Sequence, residues 1–428
     1  MELTDAFNNV KTTENGDLAY KSTSNKLLDI LFMSEYYKNN TDKLPNIVGE
    51  PQANIFASFM RDPRLGMGCK NVGRTLLGQV NASPEEILAC GRADDLWIMA
   101  QKFIHLKKKM YDFLFNECQN NNALVKKWMP RYSSKNLMVA RQMAKYFGLN
   151  KQQYGHFVKV TTTESQLSEH KEEEIKFEQV PSLAAIKYAK TFDRKQHERY
   201  QKYLQDVREG KKELHVSTTT MYDIYKNRDK IDADLFISKL DATPGSWLPV
   251  IDVSGSMCDS HDSIGKALAI GYYLAITSCY LPNNFITFSE RPEIVKLQEG
   301  VTFKERLKQI ERSHWGMNTD LSAVMQTLRQ VDGQLPEYLV ILSDMEFDYG
   351  SSQNKDELMN QWKKNGITTK IVWWNFNSRN VTCPEIDIHG NIFMSGYNPM
   401  LLQYLEARFD GKMFLDKLLK VYQQKREL

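Results

Sequence analysis

Three short stretches of this chain gather oxygen-bearing side chains at the ends of apolar runs. Asp252-Val253-Ser254-Gly255-Ser256 closes the run WLPVIDV (247–253), Gly316-Met317-Asn318-Thr319-Asp320 precedes an amphipathic run, and Ser343-Asp344-Met345-Glu346 follows YLVIL (338–342). In an open α/β sheet, ligands bind outside the carboxyl ends of the strands, so loops at strand ends are site-forming positions. A hard divalent cation such as Mg²⁺ takes oxygen ligands in a near-octahedral shell and keeps some of its waters, which suits hydroxyls backed by carboxylates. Ser254 and Ser256 can point the same way from a tight loop, while Asp252 holds their hydroxyls or a metal-bound water. The bland alternative is a turn, since Asp, Ser and Gly are turn formers. Three oxygen-bearing loops in succession favour the cation.

Other chemistries lack their residues. The eight histidines form no HxxxH or HExxH pair, and the six cysteines are scattered at 69, 90, 118, 258, 279 and 383 without a CxxC, so neither a zinc site nor a disulfide framework is indicated. His261 lies near Ser254 and Ser256, but DVSGS is not the GxSxG of a nucleophile elbow. There is no GxGxxG, and Gly68 to Gly73 with Arg74 and Thr75 lacks the lysine and the preceding strand of a phosphate loop. Nothing supports turnover.

The elements that must position the loops divide the chain in two. From about 243, apolar strands alternate with helical runs: 247–253, a helix from 263 to 278, a strand at 284–288, helices at 302–311 and 320–331, a strand at 338–342, a helix near 355–365, strands at 369–376 and 391–396, and helices at 399–408 and 411–424. That alternation predicts a largely parallel sheet covered by helices. Before 243, after an extended lead-in, short amphipathic segments follow one another, as in the helix expected at 24–39, NIFASFM (54–60), the Ser83-capped run at 83–88 and DLWIMAQKF (95–103), and they predict stacked helical hairpins. The polar stretch 161–178 reads as a solvated connection or a polar helix face.

The chain has 428 residues and a net charge of +3, and its hydrophobic content of 42% is enough for large cores. About 37 basic and 31 acidic side chains fall in the first 242 residues, leaving the front mildly basic and the back mildly acidic. Within the front, Lys107, Lys108 and Lys109 form one basic cluster. Lys126, Lys127, Arg131, Lys135, Arg141 and Lys145 form another, with Trp128, Tyr132 and Tyr146 interleaved. Cations for phosphates and aromatic faces for bases could line a groove for RNA; the same pattern also arises from solvated helix faces over an aromatic core. The polar N-terminus and the lack of an 18-residue apolar run predict an intracellular, cytoplasmic protein without a membrane partner.

The three loops resemble the metal-ion-dependent adhesion site of the von Willebrand factor A fold, in which DxSxS, a Thr and an Asp come from three separate loops. The resemblance implies Ser254, Ser256 and Thr319 as ligands of Mg²⁺ or another divalent cation such as Mn²⁺, with Asp252 and Asp344 ligating directly or through water. It also implies an open vertex that an acidic residue of a protein partner completes. SDME stands where many such sites have SDG, which leaves room for Glu346 to approach the ion. The strings TENGDLAY (13–20), STSN (22–25), RDPRLGMG (61–68), WGMNTD (315–320) and SDMEFD (343–348) resemble an uncharacterised family of plants, large viruses and phages. That family pairs a helical front with a von Willebrand factor A back. Its architecture is similar to the TROVE module of the Ro ribonucleoproteins, whose GRxxDL element resembles Gly91-Arg92-Ala93-Asp94-Asp95-Leu96.

The expectation is therefore an α-helical, HEAT-like or TROVE-like region at 1–242 and an α/β, Rossmann-like von Willebrand factor A domain at 243–428. The function implied is non-catalytic RNA binding, to single-stranded or structured RNA, with a metal-dependent ligand site; for a viral protein the compartment is the host cytoplasm. The alternative is a metal-dependent protein-interaction adaptor, or a virion or scaffold component without RNA.

Overall fold

The computed structural model describes residues 8–240, 244–259, 261–288, 291–311, 316, 318–330, 333–377, 383–384, 390–397 and 414–427. The expected helix at 399–408 lies outside these residues, as do Trp315 and Met317 of the second loop. The chain forms two compact units, and they do not follow the expected division at 242/243. Asn46–His215 make one unit; Met1–Pro45 and Val216–Leu428 together make the other.

The sheet unit is built on six strands in the order β5-β4-β3-β6-β7-β8: β3 (Trp247–Asp252), β4 (Asn284–Phe288), β5 (Glu293–Lys296), β6 (Tyr338–Ser343), β7 (Lys370–Asn375) and β8 (Ile392–Ser395). All neighbours run parallel except β5, which pairs antiparallel with β4. β3, β4, β6 and β8 are buried along their whole length, as continuous apolar runs in a parallel sheet require. β5 is exposed on both sides and carries no alternation, so the sequence pattern does not reveal it.

The helix Ser263–Thr277 is apolar almost all round, consistent with a central position against the sheet. At Gly271 an added Cβ would meet Ile251 Cδ1 at 2.3 Å, so glycine there lets helix and β3 approach. Thr302 and Glu305 form a capping box that starts the helix Phe303–Ile310, and the Asp320 carboxylate caps Leu321–Leu328. β3 and β6 are adjacent, and the sheet extends from them in opposite directions through β4 and through β7. Their carboxyl ends are thus the switch point where the following loops diverge and leave a crevice.

The first 45 residues belong to this unit. A hairpin of β1 (Val10–Thr12) and β2 (Leu18–Tyr20) is followed by two helices, Lys26–Phe32 and Ser34–Asn39, rather than the single helix expected at 24–39. Phe32 packs edge-on against Phe393 of β8 at 5.3 Å, and Tyr20 and Cys383 exchange backbone hydrogen bonds of 2.6 and 2.8 Å.

The helical unit consists of short helices, among them Ala53–Arg61, Lys70–Gln79, Pro84–Cys90, Ala93–Lys102, Lys107–Gln119, Leu137–Tyr146, Ser182–Lys195 and His197–Arg208. The stretch 161–178 is exposed or half-buried apart from Glu172, Ile175 and Phe177, and holds the short helix Thr163–Ser168 and 3-10 turns. Among the described residues, no helix is long and apolar enough to cross a membrane.

Candidate metal centre

Asp252 is the last residue of β3 and Ser343 the last of β6, so the neighbouring strand ends place them side by side. The Asp252 carboxylate is fully buried; it accepts the Ser254 amide at 2.9 Å and the Ser343 hydroxyl at 2.5 Å. The first bond turns the loop at Asp252 and the second ties β3 to β6; within the loop the Ser254 and Ser256 Oγ atoms lie 3.0 Å apart. Two oxygens at roughly 2.1 Å from Mg²⁺ on adjacent octahedral vertices lie about 3 Å from each other, so this spacing suits two ligands of one ion.

The second and third loops are tied to each other. The Asp348 amide donates to the Thr319 carbonyl at 3.1 Å, and the Thr319 amide donates to the Asp348 carboxylate at 3.1 Å. Asp344 is buried, and its Oδ1 accepts the Glu346 amide at 3.3 Å. Burial and the nearby Asp344 charge push the Asp252 carboxyl up to about 7, against the hydrogen bonds from Ser254 and Ser343 that favour its charged form. Asp348 is also raised, by burial and then by Asp320.

Among the described residues, the buried Thr319 hydroxyl has no hydrogen-bond partner, a state it shares with those of Ser34, Thr219 and Thr287, whereas buried hydroxyls are ordinarily satisfied because an unmade bond costs about 1–3 kcal/mol. Among the described residues no three His, Cys, Asp or Glu side chains converge as they would around zinc, so a cation here depends on hydroxyls as well as carboxylates. The donor set of Asp252, Ser254, Ser256, Thr319 and Asp344 is hard, oxygen-only and suited to Mg²⁺ or Mn²⁺.

Two neighbours have roles other than those the sequence raised for them. The Glu346 side chain receives the backbone amide of Glu14 at 2.7 Å, and its own carbonyl accepts the Asn15 side-chain amide at 2.7 Å. His261 is exposed, 3.7 Å from the Asp259 carboxylate, while the Ser254 hydroxyl bonds that of Ser256.

The basic residues of the helical unit sort into two kinds. Lys108, Lys109, Lys135, Arg141 and Lys145 are exposed. Lys107 is half-buried over the Tyr111 ring, Lys126 donates to Asn121 at 2.7 Å, and Lys127 lies over Trp128. The Arg131 guanidinium bonds the carbonyls of Val158 and Lys126, so it serves the fold rather than an outside phosphate. The interleaved aromatics are also engaged. Tyr132 packs on Tyr154 and Tyr146 on Tyr111, while the Arg92 guanidinium sits 3.9 Å from the centre of the Trp128 ring. A cleft of about 620 Å³ beside Trp128 mixes Lys127, Lys159 and Lys171 with Glu164, Glu169 and Glu174, a poor lining for a polyanion.

The GRADDL string is an ion network. Buried Asp95 binds Arg61 Nε at 2.8 Å and Arg74 Nε at 2.5 Å and accepts the Arg92 amide at 2.9 Å, while Asp94 pairs with the Arg92 guanidinium. A side chain at Gly91 would meet Asp95 Oδ2 at 2.3 Å, so glycine makes room for that carboxylate.

Residues 246–425 match a family described as a domain of unknown function, DUF7788, and residues 126–239 match another, DUF2828. An uncharacterised protein, L728, of Acanthamoeba polyphaga mimivirus is 26% identical over 331 residues, covering 66% of this chain. This chain spans 57% of that relative's length. The crystal structure of the Ro (RSR) protein of Deinococcus radiodurans aligns over 94% of this chain and 93% of its own, at 10% identity and a TM-score of 0.43. At that level no residue of one chain can be placed on a residue of the other.

Proposed function

We propose that this is a non-catalytic binding protein whose sheet unit, of von Willebrand factor A type, holds Mg²⁺ or Mn²⁺. The ligands are Ser254, Ser256 and Thr319, with Asp252 and Asp344 acting directly or through water, and a carboxylate of a protein partner completes the shell. The observation that carries this reading is the buried, unpartnered Thr319 hydroxyl, borne on a loop that the Asp348 bonds tie to the segment following Asp344. When bound, the cation supplies the positive charge that two buried aspartates need and a vertex that recognises an acidic group. Calorimetric titration with Mn²⁺ tests it. The Ser254→Ala/Ser256→Ala double variant should lose binding and keep its fold; unchanged affinity would remove the assignment.

A second reading gives the helical unit an RNA partner. It is favoured by a charge imbalance: residues 101–160 carry twelve Lys and Arg against two acidic side chains. Fluorescence anisotropy with a labelled single strand and an equal-length duplex, at several salt concentrations, checks it. Phosphate contacts require affinity to fall steeply with salt, and absence of binding at low salt ends this reading.

A further inference from the structure

The turn that joins β1 to β2 is docked on the third loop of the metal centre. Its Thr13 hydroxyl donates to the Phe347 carbonyl at 2.7 Å, the Glu14 amide to Glu346 Oε2 at 2.7 Å, and the Asn15 side chain to the Glu346 carbonyl at 2.7 Å. Gly16 forms an antiparallel bridge with Asp348, and the Asp17 carboxylate accepts both the amide and the hydroxyl of Ser352 at 2.9 Å. Two of the three residues the turn grips between 346 and 348 are one step from a ligand: Glu346 bonds Asp344, and Asp348 bonds Thr319.

With the turn in place, Asp252, Ser254, Thr319 and Asp344 are each at most 2% exposed and Glu346 is 1% exposed, while Ser256 is half-buried. A partner's carboxylate has to reach the ion, and an ion that keeps waters has to exchange them. Among the described residues, Ser256 is the ligand left within reach of solvent, and the other four are covered. The turn is held on the loop by hydrogen bonds, with Glu14, Asn15 and Gly16 exposed, so it opens locally at lower cost than β3 and β6, which are buried throughout.

We infer that Thr13–Asp17 is a strap on the third loop of the metal centre, which narrows the approach to the Ser256 side in this conformation and lifts for a carboxylate partner to bind. This rests on the ligand reading above and adds regulation of that site by a segment more than 200 residues away in sequence. Partner and strap compete for the Glu346–Asp348 edge, so a partner binds more weakly by the factor that the closed state holds over the open one.

Two variants of this chain act in opposite senses. Thr13→Val with Asn15→Ala removes two bonds from the strap to the loop and the bond of the Asp17 amide to the Thr13 hydroxyl within the turn, and leaves every proposed ligand in place. Tyr20→Cys places a thiol opposite Cys383. Antiparallel partners that exchange hydrogen bonds lie about 5.5 Å apart at Cα, within disulfide range, so oxidation ties the hairpin down and reduction frees it.

The first readout is the rate of Mn²⁺ release into excess chelator. It should rise at least about tenfold in the double variant, and in the oxidised cysteine variant fall at least about tenfold below the rate of its reduced form. Equal rates in all forms would overturn the strap. The second readout is amide hydrogen exchange, which needs no metal. Protection at 344–348 should drop in the double variant while β6 keeps its own. Loss of protection in both together, or in neither, would make the turn an ordinary structural clasp and overturn the inference. If no form binds Mn²⁺, the ligand reading fails, and exchange alone then decides whether the strap lifts.

Discussion

Asp95 in the helical unit and Asp252 in the sheet unit are equally buried, at 0% exposure, yet their surroundings are opposite in kind. Asp95 is met by the guanidinium groups of Arg61 and Arg74, so its charge is neutralised within the fold. Asp252 is met by an amide, a hydroxyl and the charge of Asp344. A buried carboxylate served by cations completes a structure; one served by hydroxyls beside a second carboxylate invites a cation from outside. The difference separates a scaffold from a site without reference to any relative.

The comparison can be broken most severely at Asp95. Asp95→Asn leaves Arg61, 1% exposed, without its counter-charge, and should cost the helical unit about 3–5 kcal/mol in urea unfolding. A loss below 1 kcal/mol would mean that the network is not what holds the unit.

Asp252→Asn should behave in the opposite way. The Asp252 carboxyl is raised from the usual 3.8 to about 7, so its folded form keeps a proton that the unfolded form has released. Its stabilising contribution is full below about pH 4 and is lost as pH rises through 7, a fall of a few kcal/mol in the metal-free protein. Melting curves at pH 5 and 8 should show that fall in the native chain. Saturating Mg²⁺ should offset it, and Asp252→Asn should show neither the fall nor the offset. A native melting temperature that rose with pH over this range would contradict the assignment.

Thr319→Val sharpens the contrast at a smaller scale. Replacing a buried hydroxyl that makes no hydrogen bond with its apolar isostere should stabilise the metal-free chain by roughly 1–2 kcal/mol while weakening Mn²⁺ binding about tenfold or more. Stability and affinity moving in the same direction would show that this hydroxyl has a purely structural role. The smallest effect is expected at the surface. Lys108→Ala with Lys109→Ala should leave stability within about 0.5 kcal/mol and lower the salt slope of single-strand RNA binding by about 1.4. An unchanged slope would remove these two lysines from any RNA contact.

The parts of this molecule that were legible in sequence are those whose causes are local. DVSGS at the end of an apolar run marks a strand, a loop and a set of oxygens within seven residues, and the alternation after 243 is a local periodicity. The role of Ser343 was not legible, because only the pairing of β3 with β6 brings it to Asp252 across 91 positions. Nor was the strap, since its bonds span more than 330 residues and Thr13–Asp17 alone looks like any polar turn. GRADDL could be read only by resemblance. Its charges acquire meaning once Arg61 and Arg74 arrive from two other helices.

The sheet unit is assembled from both sides of the helical unit along the chain, and this sets an order of events during synthesis. Asn46–His215 have all their internal partners once residue 215 has been made. The hairpin, which emerges before them, waits until Phe347 and Cys383 have followed. For most of translation its backbone edges are unpaired, so a nascent chain stalled between 215 and 347 should leave open to a probe Thr13 and Asp17, which the finished protein buries.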